Sequence, residues 1–536
     1  YGQEFSKADI DAGNASAHVD QTAHGTHVAG IAAANGDSIA AYKGAAPKAG
    51  IIAVSLNFNQ GDDTWLSSIA DAVDYIFSKA DSLNQPCVIN ISAGTYLGSH
   101  DGKDLQAQAI DNLITAQNGR MVVAAAGNAG NYPLHLRHTL NNDTLFTWFR
   151  QTSANPIYIE FWSDTADLNG VEFTLGADQT SPGFQDRAQQ NWTGITSHLG
   201  VLGYDTIWSY NGNRLATVQS YGQLAGDRYC MSYAITPDSA TYYFRLMTKG
   251  SGKTDLWSFE MVSTGLPNVS IYPAIIRYKL PDLQQNICSS FQCSDVVLCV
   301  GQYVNRNNYI DVNGNVQTFA TIEGALAVSS SRGPTRDGRS KPDITSTGEV
   351  TLSALKLSSV AWFMANQPFK LAQSGIHIRD GGTSSAAPVV AGAIALYFQK
   401  NPQAGWQDIR NRVLLCSKRD NFTGNNLPNN NWGYGKLDAL SMTAGCTALS
   451  LEESNSPLFS LFPNPAHSMV QIEYTGTEMP ASVALYNSIG QFTGIRYSLN
   501  TNKPLQLNLS DLPDGLYFFV VSHEGGRQTS IPLLIR

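Results

Sequence analysis

The stretch WLSSIADAVDYIFSKADSLNQPCVINIS, residues 65–92, joins two hydrophobic periods. Trp65, Leu66, Ile69, Val73, Ile76, Phe77 and Ala80 recur at three- and four-residue spacing, which predicts an amphipathic helix. Asn84-Gln85-Pro86 breaks that pattern, and CVINIS then reads as a nearly continuous apolar strand. The same alternation continues on both sides. HVAGIAAAN (27–35) and LQAQAIDNLITAQNG (105–119) read as helices; AGIIAVSL (49–56) and RMVVAAAGN (120–128) read as buried strands. Continuous apolar strands separated by helices predict an α/β fold, a mostly parallel sheet with helices on both faces.

From about residue 131 to 285 the pattern changes to strand after strand. IYIEFWSD, VEFTLGAD, TYYFRLMT and LWSFEMVS alternate at or near period two, with turn signals LNG, YNGN and GSGK between them. Helix and buried strand return with DVVLCVGQY (295–303) and TSSAAPVVAGAIALYFQK (383–400). The simplest account is one discontinuous α/β domain, 1–130 and 286–447, interrupted by an all-β sandwich or jelly roll at 131–285. ALSLEESNSPLF (448–459) reads as a linker, and 456–536 as a small C-terminal β-sandwich.

Composition bounds the function. The chain has 536 residues, too many for one ordinary core. Its net charge of −9, without a basic stripe, argues against nucleic acid. No run of about 18 apolar residues predicts a transmembrane segment. No signal peptide is visible, and the chain opens on Tyr1 rather than Met, so a mature form or a fragment is expected. Seven cysteines forbid complete internal pairing. Cys87 and Cys299 sit in apolar runs as buried thiols, while Cys288 and Cys293 are close enough in sequence for a local bridge.

Three polar residues stand where chemistry is possible. Ser384, in DGGTSSAAPVVAGAIALYF, opens an apolar helix, where unpaired N–H groups and the positive dipole end favour an anion. Alone it reads equally as a helix cap. Pro388 falls near the first turn, where a missing N–H costs little. His24 in QTAHGTHVAG can serve as the general base such a serine needs, or be a core histidine. With His27 it also makes His-x-x-His, a weak zinc reading without a third ligand nearby. Asn128 ends the apolar strand VVAAAGN at the carboxyl edge of the sheet, where its amide can donate to an oxyanion; alone it reads as a turn residue.

Together and in this order, HGTHVAG, AAAGN and GTSSAAP resemble the signature segments of subtilisin-like serine peptidases, the subtilases. GAAPKAGIIAVSL, VINISAG, SSRGPTRDGRSKPDI and WGYGKLDAL resemble further family landmarks, so the likeness covers about 21–130 and 290–445. The resemblance implies that Ser384 is the nucleophile and His24 its base, with Asn128 and the Ser384 N–H holding the oxyanion. It implies that Ser92, Ala93 and Gly94 form an edge strand for the substrate backbone. Ala126 and Gly127 would line the other side of the first specificity pocket, and His27 would be structural. No cofactor is needed for that chemistry. Structural calcium is common in such proteins, but DVNGN (311–315) is too short a match to assign a site.

Three departures from the family pattern stand out: one bears on the triad, one on loop geometry, and one is the β insertion. The family's aspartate lies on an apolar strand a few dozen residues before the histidine. Here only Glu4, Asp9, Asp11 and Asp20 precede His24, and Asp11 is 13 residues away with no apolar strand ahead of it. The expectation is therefore that the aspartate strand lies before Tyr1, with YGQEF resembling the connector that follows it in some bacterial subtilases. Ser346 and Thr347 in KPDITSTG replace a small residue and a proline. The β insertion resembles jelly-roll insertions of some bacterial members, with its role open between gating, substrate binding and stability.

LFPNPAHSMVQIEY, VALYNSIGQ and LPDGLYFFVV resemble the C-terminal sorting domain of the bacterial type IX secretion system, with Pro463, Asn464 and Pro465 at its opening. The resemblance implies export, followed by release or attachment at the bacterial surface. The leading expectation is a secreted serine endopeptidase acting on proteins or peptides, with the type IX machinery as partner. Its rivals are an inactive subtilase shell serving as a surface binding or adhesion protein, and a zinc hydrolase using His24 and His27.

Overall fold

The computed structural model describes residues 2–15, 23–56, 64–446, 459–474, 480–487, 491–498, 505–523 and 528–535. The chain divides into two compact units, Tyr1–Cys446 and Thr447–Arg536.

In the first unit the α/β elements follow in order: α1 (His24–Ala33), α2 (Thr64–Ser82), β1 (Cys87–Ile91), α3 (Leu105–Thr115) and β2 (Arg120–Ala125). After the insertion come β3 (Leu298–Val304), β4 (Ile344–Glu349), α4 (Thr383–Lys400) and α5 (Trp406–Leu415). The strands lie in the order β1-β2-β3-β4, and every neighbouring pair is parallel. Strand β2 shows why both faces are covered. Val122 and Ala124 point to one side, where Ile69, Val73 and Phe77 of α2 pack with Ile110 and Ile114 of α3. Met121, Val123 and Ala125 point to the other, against Ala386, Val390 and Ile394 of α4 and Ile409 and Val413 of α5. Each fully buried Val, Ile, Met or Phe among them contributes about 1.5–3 kcal/mol, and each Ala less.

AGIIAVSL does not form the expected strand. Residues 49–56 pair with no strand among the described residues, and Ile51 is 60% exposed. Apolarity favours burial, but a strand also needs a neighbour's backbone to satisfy its N–H and C=O groups. On the same count β1 is an open edge, with only β2 beside it among the described residues.

The insertion is a single nine-stranded antiparallel sheet. Its longest strand, Tyr242–Trp257, joins two halves: residues 242–250 pair with Val171–Gln179, and 255–257 pair with Ile157–Asp164. Phe173 and Phe244 of one half share a core with Phe161, Met231 and Val218 of the other, so the sheet closes on itself around one interior. Two expectations fail here. GSGK is not a turn but a bulge inside that strand, at Gly250/Ser251. LWSFEMVS is not a separate strand, because the strand ends at Trp257. The glycines serve close approach: a Cβ on Gly250 would lie 2.1 Å from the Gly170 carbonyl oxygen, and one on Gly252 2.2 Å from that of Asp167.

The insertion is bonded into the α/β part. Trp257 stacks on His100 with ring centroids 4.1 Å apart. Buried Asp101 receives Arg336 at 2.8 Å and pairs with Arg228 of the insertion. Within the insertion itself, buried His135 stands between Asp255 and Asp282, 3.0 Å from each.

Cys416 and Cys446 form a disulfide, a pairing the sequence left open. The local bridge between Cys288 and Cys293 is not formed; the Cys293 thiol lies 3.4 Å from the Cys288 carbonyl oxygen instead. The reach of two side chains depends on where their Cβ atoms point, which spacing alone does not give.

The second unit holds two antiparallel sheets, one of Phe459–Phe462, Met469–Tyr474 and Leu505–Asn508, the other of Pro480–Asn487, Phe492–Ser498, Gly515–His523 and Gln528–Ile535. Val470, Ile472, Val483, Leu485, Leu507 and Phe519 form their shared core. Residues 447–458, most of the expected linker, lie outside the described residues. Among the described residues no helix is long and apolar enough to cross a membrane.

Candidate active site

Parallel strands end together, so loops leaving β1 and β2 emerge at one edge of the sheet. From β1 comes Ser92-Ala93-Gly94; from β2 comes Ala126-Gly127-Asn128. The start of α4 meets both. Gly382 precedes that helix with φ +93°, a left-handed conformation that favours glycine. A Cβ there would lie 3.1 Å from Asn128 Nδ2. The Thr383 N–H donates to Asn128 Oδ1 at 2.9 Å, and its hydroxyl donates to the same oxygen at 3.2 Å. That hydroxyl in turn accepts the Gly127 N–H at 2.9 Å. The side-chain oxygen of Asn128 is thus committed to the helix start, which fixes the amide orientation and leaves Nδ2 as the outward donor. Asn128 itself is exposed.

Ser384 is the second residue of α4 and half-buried. Pro388 is deeper in the helix than its sequence position suggested, at the sixth helical residue. Its missing N–H is the one that would bond the Ser384 carbonyl, four residues back. Ser92 supplies the donor instead: its hydroxyl donates to the Ser384 carbonyl oxygen at 3.1 Å. Ser92 therefore holds the serine's backbone as well as lining the loop after β1.

His24 is the first residue of α1, and exposed. Helix α1 packs directly on α4; a Cβ on Gly392 would lie 3.0 Å from the Ala32 carbonyl oxygen. The start of α1 also sits on the hairpin Thr351–Ala354/His377–Asp380, whose Ser353 hydroxyl donates to the His27 carbonyl at 3.0 Å. That hairpin leads straight into Gly381–Ser384. His27 is 2% exposed, and burial depresses its imidazole pKa, with nearby Asp380 opposing. It packs as a neutral structural residue. Among the described residues no side chain bonds to the His24 ring. Asp9 caps the short helix Lys7–Asp11 with Ser6, and Asp11 pairs with Lys7. Asp20 lies outside the described residues.

Among the described residues no three His, Cys, Asp or Glu side chains group as a metal site. The carboxylate of Asp311, in DVNGN, instead accepts from the Asn313 and Asn315 N–H groups at 2.9 Å and from Gln317 Nε2 at 2.8 Å, as a turn residue does.

The two loops of the cleft are tied more tightly than the sequence predicts. Ala126 has no exposed surface, so it backs its wall rather than lining a pocket. Its carbonyl accepts the Cys288 N–H at 2.8 Å, and the Gly127 carbonyl accepts the Ser331 N–H at 3.0 Å. Opposite, Gln292 Nε2 donates to the Ala93 carbonyl at 2.9 Å. Two residues that the sequence did not place at the site stand between the walls. Tyr96 accepts the Asn128 N–H on its hydroxyl at 2.6 Å, and burial raises its pKa. Burial pushes the Cys288 thiol up to about 12, so it is a neutral packing group. Neither carries a motif; only the fold brings them here.

Residues 2–435 match the subtilase family model. The chain belongs to the subtilase family. Residues 460–535 match the secretion system C-terminal sorting domain, which marks this subtilase for secretion or attachment at the cell surface. Thermitase of Thermoactinomyces vulgaris is 38% identical over 121 residues, 22% of this chain and 39% of that protein. The thermophilic serine proteinase of Bacillus sp. (strain AK1) is 40% identical over 114 residues, 21% of this chain and 25% of that protein. The aligned part thus spans 25% to 39% of these relatives' length. The CspB protease of Clostridium perfringens shares the subtilase fold, with a TM-score of 0.58 at 23% identity over 80% of this chain and 81% of that one.

Proposed function

We propose that this subtilase is a secreted serine endopeptidase that hydrolyses protein or peptide bonds through an acyl-enzyme on Ser384. Ser384 Oγ attacks the scissile carbonyl while His24 takes its proton, then returns it to the leaving amine. The Asn128 Nδ2 amide and the Ser384 N–H hold the oxyanion. Gly94, whose N–H and C=O have no partner among the described residues, pairs with the extended substrate backbone. No cofactor takes part in the chemistry. The carboxylate that orients His24 is assigned to a strand outside the described residues, for which the edge of β1 without a neighbour among the described residues leaves a place. The peptidase domain is read as 1–130 and 286–447, with the insertion at 131–285 and a sorting domain at 456–536 that engages the type IX machinery.

The observation that carries this reading is the fixing of Asn128. Its oxygen is held by Thr383, so its donor stays beside the residue that would generate an anion. A fluorophosphonate probe on the full-length protein tests it. Labelling that disappears in Ser384→Ala is the expected result. A correctly folded full-length protein that takes no label would overturn the peptidase and favour a non-catalytic shell.

A further inference from the structure

We propose that Tyr96 and Cys288 close the pocket for the side chain preceding the scissile bond, so that the enzyme cleaves after glycine, alanine or serine, and that the β insertion holds this closure through Phe259. The inference rests on the peptidase reading and adds its substrate class.

The pocket lies between the loop Ser92–Gly94 and the loop Ala126–Asn128. Tyr96, two residues past Gly94, reaches from the first loop to the second, where its hydroxyl accepts the Asn128 N–H at 2.6 Å. A Cβ on Gly127 would lie 2.7 Å from that hydroxyl and 2.8 Å from Cys288 Sγ. A Cβ on Gly94, across the gap, would lie 3.0 Å from Cys288 Cβ and 3.2 Å from its Sγ. One thiol therefore touches both walls, and one phenol is bonded across them. The Cys288 N–H, donating to the Ala126 carbonyl at 2.8 Å, keeps the thiol from withdrawing. Ser331 Oγ, which accepts the Ala129 N–H at 3.0 Å, adds a third group at the same spot, 3.0 Å from the Gly127 Cβ position.

A substrate side chain entering between these glycines meets a floor within about one methyl group. That floor is phenol, thiol and hydroxyl, so a large apolar group would neither fit nor find apolar cover. Tyr96 is braced from the far side. Phe259, two residues past the longest strand of the insertion, meets the Tyr96 ring edge-on at 5.4 Å and 86°. It also meets Tyr132 at 6.1 Å. Tyr96 packs further in one cluster with Trp162, Cys230 and Trp257 of the insertion.

The test uses the full-length protein and peptide substrates that differ only in the residue before the cleaved bond: Gly, Ala, Ser, Leu, Phe or Lys. The kcat/KM for Ala should exceed that for Phe by at least about 100-fold, since a single surplus methylene already costs about 10- to 200-fold. Tyr96→Ala should raise Phe relative to Ala by at least about 10-fold. Phe259→Ala should shift the ratio the same way by a smaller factor. Phe259 is 50% exposed, so this variant keeps the experiment decisive where Tyr96→Ala does not fold. A wild-type preference for Leu or Phe, or a ratio unmoved in Phe259→Ala, would overturn the closure. Fluorophosphonate labelling of Ser384 separates the two claims. A labelled protein without the small-residue preference leaves the peptidase standing and removes the closure; an unlabelled wild type removes both.

Discussion

Asn128 does two jobs with one amide: its oxygen anchors the start of α4, and its nitrogen is left to donate. Asn128→Asp keeps the acceptor and removes the donor, so it should lower kcat by an amount equal to about 3 kcal/mol, a magnitude itself drawn from a subtilisin, with little change in KM. Steady-state kinetics on one peptide checks this. Ser92 and Pro388 make a second residue-scale pair. If Ser92 serves the carbonyl that Pro388 leaves bare, Ser92→Ala should cost about 1 kcal/mol in the wild type and close to nothing in a Pro388→Ala background, where the helix bonds Ser384 itself. A double-mutant cycle on thermal stability reads that difference. His24, Asn128 and Ser384 could be put forward from sequence because each lies in a long motif. The Ser92 contact was not, because an orphaned carbonyl appears only once the helix boundary is known. Tyr96 and Cys288 were missed for a similar reason, being placed by loops whose course no hydrophobic period encodes.

Helices and strands of the α/β part followed their periods closely; α4 runs over Thr383–Lys400, as its apolar stretch predicted. The failures all concern partners. AGIIAVSL has a strand's composition but no neighbour among the described residues. GSGK has a turn's composition, yet its glycines let another segment pass close to a continuing strand. Cysteine pairing was illegible for want of geometry. The bond that does form closes Cys416 at the end of α5 onto Cys446 across a separation of 30 residues. Removing it in Cys416→Ser/Cys446→Ser should cost about 3–4 kcal/mol, chiefly by freeing the unfolded chain. Denaturant melts with and without the bond would measure it.

Across the whole molecule, the Asp101–Arg228 pair joins the insertion to the α/β part, and the insertion carries a buried charge cluster of its own at His135. Burial works against a charged His135, but hydrogen bonds to Asp255 and Asp282 outweigh it and raise its pKa above the ordinary value. The stabilisation is therefore fully present below about pH 6.5 and is lost as pH rises through the raised value. The melting-temperature gap between wild type and His135→Gln should shrink over that rise in pH. The peptidase reading and the pocket closure both depend on Ser384 being a working nucleophile. Active-site titration of the full-length protein with a chromogenic ester, followed by mass mapping of the trapped adduct, tests that most directly. The account predicts a burst of about one product equivalent per chain, with the acyl group on the peptide containing Ser384 and the burst abolished in His24→Ala. Steady hydrolysis with no burst and no adduct, or an adduct on another residue, would contradict it.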